Sequence, residues 1–184
     1  SASVIIQASE KRDFEFIRSL KSNLVPVPFG ASDWVDQRIF KPIPNVNKVY
    51  DAIYVANYNP IKRHHIFFRA ISQIDDPTFK AALVFGNSGS AQKDIESLIE
   101  YFKIKSRLDV YHVLPQTQLN ELLNKSKVNV LLSYKEGSNK SVFEGVFAGT
   151  PALVLESNVG VNKTYINSCT GALVTDDNLR EWLE

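Results

Sequence analysis

The stretch that carries the most information about the fold reads KEGSNKSVFEGVFAGTP and runs from Lys135 to Pro151. Two glutamates, Glu136 and Glu144, flank the start of a predicted helix at about residues 139–148. Lys140 falls in the first turn of that helix, where the macrodipole presents positive partial charge and disfavours a cation by roughly a few tenths of a kcal/mol. This placement indicates an anion in front of the helix, and the simplest candidate is a phosphate.

A plainer interpretation of the same residues is a solvated helix start. Lys140 and Glu144 lie one turn apart and could simply pair in solvent, a contact worth roughly 0.3 kcal/mol, and Glu136 could be a surface acid at a turn. At about 1.5 Å of rise per residue, the two carboxylates lie about 10 Å apart. That is too far for an acid and a nucleophile at one glycosidic bond, which stand ~5 Å apart in retaining hydrolases. They could address two ends of one ligand.

The composition is that of an ordinary folded protein. The 184 residues are 44% hydrophobic and 22% charged, and the net charge of +1 gives no general attraction to nucleic acid or to anionic membranes. No apolar run approaches the roughly 18 residues that span a bilayer, and no basic leader indicates a signal peptide. Because the sequence contains no methionine, we expect it to be a segment of a longer chain.

Cys169 is the only cysteine, so an internal disulfide is impossible and a cysteine-based metal site is not expected. We predict a small buried or half-buried thiol there. A reducing, cytoplasmic setting is consistent with this cysteine usage.

From about residue 50 the chain alternates short apolar runs with helical patterns, which predicts a parallel sheet with crossover helices. Predicted strands are Ile53–Ala56, Ala81–Phe85, Leu108–Tyr111, Val128–Leu132, Ala152–Leu155 and Ala172–Val174. Predicted helices lie at about 61–74, 91–103, 117–126, 139–148, 161–167 and 177–183, with Asn59 and Ser138 as candidate caps of the first and fourth. The fold class is therefore α/β, with a doubly wound parallel sheet.

The first part of the chain is organised differently. It reads as one strand–helix–strand unit, Val4–Gln7, a helix at about 10–21 and Val25–Val27, followed by a proline-rich irregular stretch that ends near Asn47. A lone unit of this kind cannot bury its own faces. It must therefore lean on the main domain or on protein outside this sequence.

Three predicted loops meet at the carboxyl edge of the main sheet, where ligands of open α/β sheets bind. They span residues 57–65, 86–90 and 136–144. The first loop also places cations, Lys62 and Arg63, in a predicted first helical turn, which by itself is more typical of a solvated helix start. Two helix starts that both carry cations indicate a shared anion. The adjacent histidines His64 and His65 cannot both face one metal from a helix, and no metal site is predicted.

These motifs resemble the C-terminal donor-binding domain of GT-B fold retaining glycosyltransferases, of the group 1 type that uses nucleotide sugars. The segment from Glu136 to Glu144, with the turn and proline at 148–151, is similar to the family's E-x7-E segment. Residues 55–62 resemble its G-R-x-x-x-x-K motif, and residues 84–89 its V-G-x-G turn. The stretch from Pro28 to Pro42 is similar to the linker between the two domains of that family.

The resemblance implies a role for each matching residue. Glu136 and Lys62 would be the catalytic residues, Lys62 by neutralising the donor diphosphate and Glu136 by contacting the transferred sugar. Glu144 would hold the ribose, and Lys140 would be a second diphosphate contact. The donor-binding residues implied are Asn57, Arg63, Gly86, Gly137, Ser138, Asn139, Lys140 and Glu144. No metal and no cofactor is implied apart from the nucleotide-diphosphate sugar donor.

Two residues depart from the family pattern. Asn57 stands where the family has an arginine that contacts the diphosphate, and Lys140 or Arg63 would have to substitute for it. Asn139 stands where the family has a second glycine, which predicts a narrower or reshaped sugar pocket.

The resemblance also implies the domain organisation and the activity. Residues 1–47 would be a remnant of the N-terminal domain with the inter-domain linker, and residues 48–184 a Rossmann-like nucleotide-sugar-binding domain. The full protein would transfer a hexose, with retention, to a glycan or lipid acceptor in polysaccharide biosynthesis. It would be cytoplasmic, and peripheral association with the inner face of the membrane is left open. The present segment, which lacks most of the N-terminal domain, is expected to be inactive alone.

Two alternatives stay open. One is a sugar-nucleotide epimerase of the same architecture, which would need catalytic acids and bases on both domains. The other is a glycosyltransferase-like binding module without turnover, and Asn57 is the feature that favours it.

Overall fold

The computed structural model describes residues 2–86 and 89–184, in which the strands form two parallel sheets. The strands are β1 (Val4–Ala8), β2 (Leu24–Pro28), β3 (Tyr50–Val55), β4 (Ala81–Phe85), β5 (Leu108–His112), β6 (Ser126–Leu131), β7 (Ala152–Leu155) and β8 (Gly171–Val174). β1 pairs with β2, and the other six form one sheet in the order β5-β4-β3-β6-β7-β8. This order is that of a doubly wound Rossmann-like fold, so the predicted fold class is confirmed.

Helices cover both faces of the six-stranded sheet, which is why strands such as β4 are buried along their whole length. The helices are α1 (Lys11–Ser19), α2 (His64–Gln73), α3 (Gly89–Phe102), α4 (Gln116–Asn124), α5 (Lys140–Phe147) and α6 (Leu179–Leu183). α2, α3 and α6 pack on one face of the sheet, and α4 and α5 pack on the other. Of the described helices, none is long and apolar enough to cross a bilayer.

The strands predicted from the sequence agree with the structure, whereas some predictions outside the strands do not. The predicted helix at 161–167 is wrong, because only the single 3-10 turn Lys163–Tyr165 forms, capped by the side chain of Asn162. The thiol of Cys169, expected to be buried or half-buried, is exposed. The predicted loop at 86–90 is described only in part, because Asn87 and Ser88 lie outside the described residues.

The proline-rich stretch packs on the large sheet. The side chains of Val35 and Phe40 join the core on the α4 and α5 side. Two buried asparagines of α4 then hold the following backbone, because the amide of Asn120 accepts from Lys41 N at 3.1 Å and that of Asn124 accepts from Ile43 N at 2.7 Å. Residues 35–43 are therefore part of the main body.

The strand–helix–strand unit formed by β1, α1 and β2 leaves much apolar surface uncovered. Ile5 is 73% exposed and Phe16 63% exposed, and no residue of α1 is buried. One contact with the main body comes from Glu10, whose carboxylate accepts from the backbone N–H of Gly160.

Helix α5 lies unusually close to strand β6. Asn129, which is fully buried on β6, donates to the carbonyl of Ser141 at 2.8 Å. Gly145, one turn further along the helix, faces the same side chain, and a Cβ added there would lie 2.6 Å from Asn129 Nδ2. The glycine is therefore required by the close approach of helix and strand.

We expect Gly145→Ala to lower the free energy of unfolding by about 1–3 kcal/mol, because the new methyl group must displace a buried, hydrogen-bonded amide. Gly137→Ala is the matched control, since nothing lies within 4 Å of a Cβ built there, and we expect a change within about 0.5 kcal/mol. Urea denaturation followed by circular dichroism measures both. Equal effects of the two substitutions would contradict the packing described for α5.

Candidate functional site

The candidate residues gather at the point where the strand order of the large sheet reverses. From β3 the chain winds outward through β4 to β5, and it then returns to β6 on the other side of β3. The crevice outside the carboxyl ends of two such strands is where ligands bind in open α/β sheets. Lys62 follows β3, and Glu136 follows β6.

Lys62 is presented by a rigid turn. The side chain of Asn59 accepts from Ile61 N at 3.0 Å and caps the 3-10 turn Pro60–Lys62, as the sequence predicted for a cap at this residue. The hydroxyl of Tyr54 donates to the carbonyl of Lys62. Arg63 then adopts a left-handed conformation with φ 58°, so α2 begins only at His64 and Lys62 stands outside it.

Lys62 and Glu136 form an ion pair across the crevice. The lysine Nζ lies 2.6 Å from Glu136 Oε1 and 2.7 Å from Oε2. The lysine side chain is 15% exposed and the glutamate side chain 8%. The hydroxyl of Ser133, a fully buried residue, also donates to Oε1 at 2.5 Å. The carboxylate is thus fixed from two sides.

The loop after β7 supports Glu136 from behind. Asn158, itself buried, donates to the carbonyl of Ser133 at 2.6 Å, and Glu136 N donates to the carbonyl of Val159 at 2.8 Å. Gly160, with φ +106°, packs so tightly that an added Cβ would overlap the carbonyl oxygen of Glu136. Sequence reasoning missed Ser133, Asn158 and Gly160, because their contacts join segments distant in the chain.

The start of α5 differs from the prediction in its cap. Asn139 is the N-cap, and its side-chain oxygen accepts from Val142 N at 3.0 Å and from the Ser141 hydroxyl at 2.9 Å. The expectation that Ser138 caps this helix is therefore wrong. Asn139 is buried and its side-chain oxygen is engaged with the helix, and its assignment to the donor stays a prediction. Gly137 and Ser138 are exposed in front of it.

Lys140 finds its counter-charge on its own helix. Its Nζ lies 3.5 Å from Glu144 Oε1, the one-turn pair that the plainer interpretation allowed. The pair is asymmetric, because the lysine side chain is 40% exposed and the glutamate side chain 9%. Burial raises the pKa of Glu144, and the neighbouring Lys140 opposes that rise. The carboxylate is therefore held in a partly desolvated place at the edge of the crevice.

Arg63 points into protein. Its guanidinium forms an ion pair with Asp176, donates to the carbonyl of Leu132 at 3.3 Å and stacks 4.0 Å from the ring of Tyr134. With 4% of the residue exposed, contact with a donor would require breaking these interactions, so the geometry favours a role in anchoring the turn that carries Lys62. Its assignment to the donor stays a prediction.

Asn57 and Gly86 stand next to each other at the ends of β3 and β4. Asn57 is exposed, and a Cβ built on Gly86 would lie 3.9 Å from its Cβ. The two residues form an open rim of the crevice.

The two adjacent histidines lie in different surroundings. His64 is buried among the rings of Tyr54 and Tyr58, and burial lowers its pKa to about 4, so the imidazole is neutral near pH 7. His65 is exposed. Over residues 2–86 and 89–184, no group of three or more His, Cys, Asp or Glu side chains is placed to hold a metal ion.

Comparison with known protein families identifies the family of this chain. The family model described as glycosyl transferases group 1 matches residues 35–184. Comparison with curated protein sequences finds no match.

Several solved structures share the fold. The chain superposes on sucrose-phosphate synthase from Thermosynechococcus elongatus with a TM-score of 0.76 and 18% identity, covering 97% of this chain and 48% of that one. For HepE from Anabaena in complex with UDP and glucose the TM-score is 0.75 with 16% identity, covering 97% and 52%. For the C-terminal domain of LpcC, a glycosyl transferase group 1 family protein from Francisella tularensis, the values are 0.67 and 14%, covering 81% and 85%. The chain thus spans about half the length of the first two.

We expect Glu144→Gln to stabilise the chain at neutral pH. The folded-state pKa of Glu144 lies above its ordinary value of 4.5, so the stability contributed by the protonated form is present below about pH 4.5 and is lost as the pH rises through the folded pKa. Thermal unfolding between about pH 4 and pH 8 should therefore show a variant midpoint above the native one at pH 8, with a gap that closes toward pH 4.

Lys140→Gln is a control that should shift the unfolding midpoint in the opposite direction. It removes the cation that stabilises the ionised Glu144, so its midpoint should fall below that of the native chain as the pH rises. Identical profiles for the native chain and Glu144→Gln would show that this carboxylate is not desolvated.

Proposed function

The chain belongs to the glycosyl transferases group 1 family, and from that premise we propose that it is the donor-binding half of a retaining hexosyltransferase. The observation that supports this most directly is the ion pair between Lys62 and Glu136 across the strand-reversal crevice. It brings together the two residues to which the family motifs assign the diphosphate and the sugar. They come from segments more than seventy residues apart in the chain.

Each end of the crevice suits one part of a nucleotide sugar. The largely buried side chain of Glu144 offers a carboxylate acceptor for the two ribose hydroxyls. The exposed residues Gly137 and Ser138 precede α5, and the start of a helix favours a phosphate through its N–H groups and its dipole. Lys140 lies in that first turn and adds positive charge.

Lys62 and Glu136 would act at the reacting bond. A cation beside the diphosphate stabilises the negative charge that develops on the leaving group as the sugar departs. Glu136 would accept from hydroxyls of the transferred hexose. Retention would follow if the acceptor attacks from the face that the diphosphate leaves, with the leaving phosphate taking the acceptor's proton. UDP-glucose is a reasonable first donor to test, since HepE holds UDP and glucose.

The acceptor would be a glycan or a lipid, bound mainly by further chain of the full-length protein. The uncovered apolar surface of β1, α1 and β2 supports such a domain, because side chains such as Ile5 and Phe16 are more than half exposed. A role in polysaccharide biosynthesis and a cytoplasmic location stay predictions, as does the absence of a cofactor.

The non-catalytic binding module has one observation in its favour. Asn57 supplies no charge at the rim of the crevice, and Arg63 is engaged with Asp176, so neither provides the second diphosphate cation that the family motif includes. Lys140 is the residue that could make up for it. Transfer by the full-length protein decides between the two candidates.

We expect Lys62→Ala and Glu144→Ala each to weaken the binding of a nucleoside diphosphate by about tenfold or more, since each removes a charged contact worth about 1.4 kcal/mol. Titration calorimetry with UDP, ADP and GDP measures this and identifies the base. Lys127→Ala is the matched control, because it removes a cation that pairs with Asp51 at the opposite edge of the sheet. Equal affinities for all three variants, or no binding by the native chain, would contradict the proposed site.

We expect the full-length protein to transfer the sugar with its anomeric configuration unchanged, as proton NMR of the product would show. An inverted product would contradict retention. Donor binding without transfer to any acceptor would favour the non-catalytic module, and conversion of the donor to its epimer without acceptor would favour the epimerase.

A further inference from the structure

Each of the two lysines of the crevice is paired with a carboxylate in the structure. Lys62 is paired with Glu136 and Lys140 with Glu144, so the charges of these four side chains cancel. A nucleoside diphosphate carries several negative charges and gains little net attraction from such a group unless one pair opens. The way in which the pairs open therefore determines which ligands bind well.

The pair that must open is that between Lys62 and Glu136. Both carboxylate oxygens lie within 2.7 Å of the lysine nitrogen, and both side chains are largely buried. Lys140 is better exposed and lies 3.5 Å from Glu144, so its charge can reach a ligand without losing a tight contact. Lys62 can serve a diphosphate only by leaving Glu136.

The two oxygens of Glu136 differ in what holds them. Oε1 accepts from Ser133 as well as from Lys62. Oε2 has Lys62 as its sole partner among the described residues. When Lys62 turns to a diphosphate, Ser133 keeps Oε1 in place, and Oε2 is left as a buried acceptor without a donor, which is costly for a charged group.

A hexose on the diphosphate can supply the missing donor, whereas free diphosphate offers only acceptor oxygens there. We propose that an exchange of partners makes this site prefer a nucleoside diphosphate hexose to the free nucleoside diphosphate. Lys62 passes from Glu136 to the diphosphate, and Glu136 Oε2 passes from Lys62 to a sugar hydroxyl. Ser133 is the positioning residue for this exchange. The inference rests on the proposed function, since it takes a nucleotide sugar as the ligand.

The test compares dissociation constants for free and glucosylated nucleotides, measured by titration calorimetry with UDP, ADP and GDP and their glucose derivatives. The native chain should bind the sugar form at least about tenfold more tightly. Glu136→Gln releases Lys62 and weakens the acceptor for the sugar hydroxyl. The affinity of this variant for the free nucleoside diphosphate should therefore rise severalfold, and its affinity for the glucose derivative should not rise. The ratio of the two dissociation constants should then approach one.

Glu144→Gln is the matched control, because it makes the same substitution in the neighbouring ion pair. The proposed partner of Glu144, the ribose, is common to both ligands. Both affinities should therefore change by the same factor, and the ratio of the two dissociation constants should equal that of the native chain. Ser133→Ala provides a second variant that leaves all four charges in place. It should lower the ratio by weakening the sugar form, and circular dichroism confirms that each variant is folded.

Weaker binding of the free diphosphate to Glu136→Gln, or an equal change for both ligands in Glu136→Gln or Ser133→Ala, would overturn the exchange of partners and leave the proposed function standing. If neither the native chain nor Glu136→Gln binds any of the six ligands, the proposed function fails and the inference fails with it.

Discussion

The close approach of helix α5 to strand β6 is the constraint on which the rest of the site depends. Gly145 allows the helix to lie against Asn129, and the amide of Asn129 fixes the carbonyl of Ser141. The first turn of α5 is thereby set at the carboxyl edge of β6, beside the end of β3. The cap residue Asn139 and the carboxylate of Glu144 are therefore positioned by the packing of a helix on the sheet.

Much of the fold could be predicted from the sequence because the strands of the large sheet are covered on both faces. A run such as Ala81–Phe85 has no polar side and is bounded by turn residues, so its type and its place in a parallel sheet follow from composition alone. Placement of Lys62 and Glu136 at one edge followed from the topology, since the carboxyl ends of parallel strands meet there. Their direct ion pair did not follow, because it depends on side chains that turn toward each other across the crevice.

The structure differs from the sequence-based expectations in details that side-chain and backbone conformation decide. Lys140 in a first helical turn predicts an anion in front of the helix, and in the structure the carboxylate of Glu144, one turn along the helix, lies beside it. Arg63 was placed inside a helix, but its left-handed backbone and its contact with Asp176, 113 residues away, draw it out of the helical pattern. The cap fell on Asn139 instead of Ser138, a difference of one residue that local sequence does not decide.

The site is sensitive to substitution of Gly160, a residue that takes no direct part in its chemistry. It carries no side chain and no charge, but its backbone rests against the carbonyl of Glu136, and its N–H donates to the carboxylate of Glu10, the residue that precedes α1. Any residue larger than glycine here would push on the backbone that presents the glutamate. In a mutational scan this position would look catalytic, although the loss would come from steric overlap and from the backbone conformation that only glycine adopts easily. The position of Glu136 therefore depends on the absence of a side chain at residue 160 as well as on the charged groups around the glutamate.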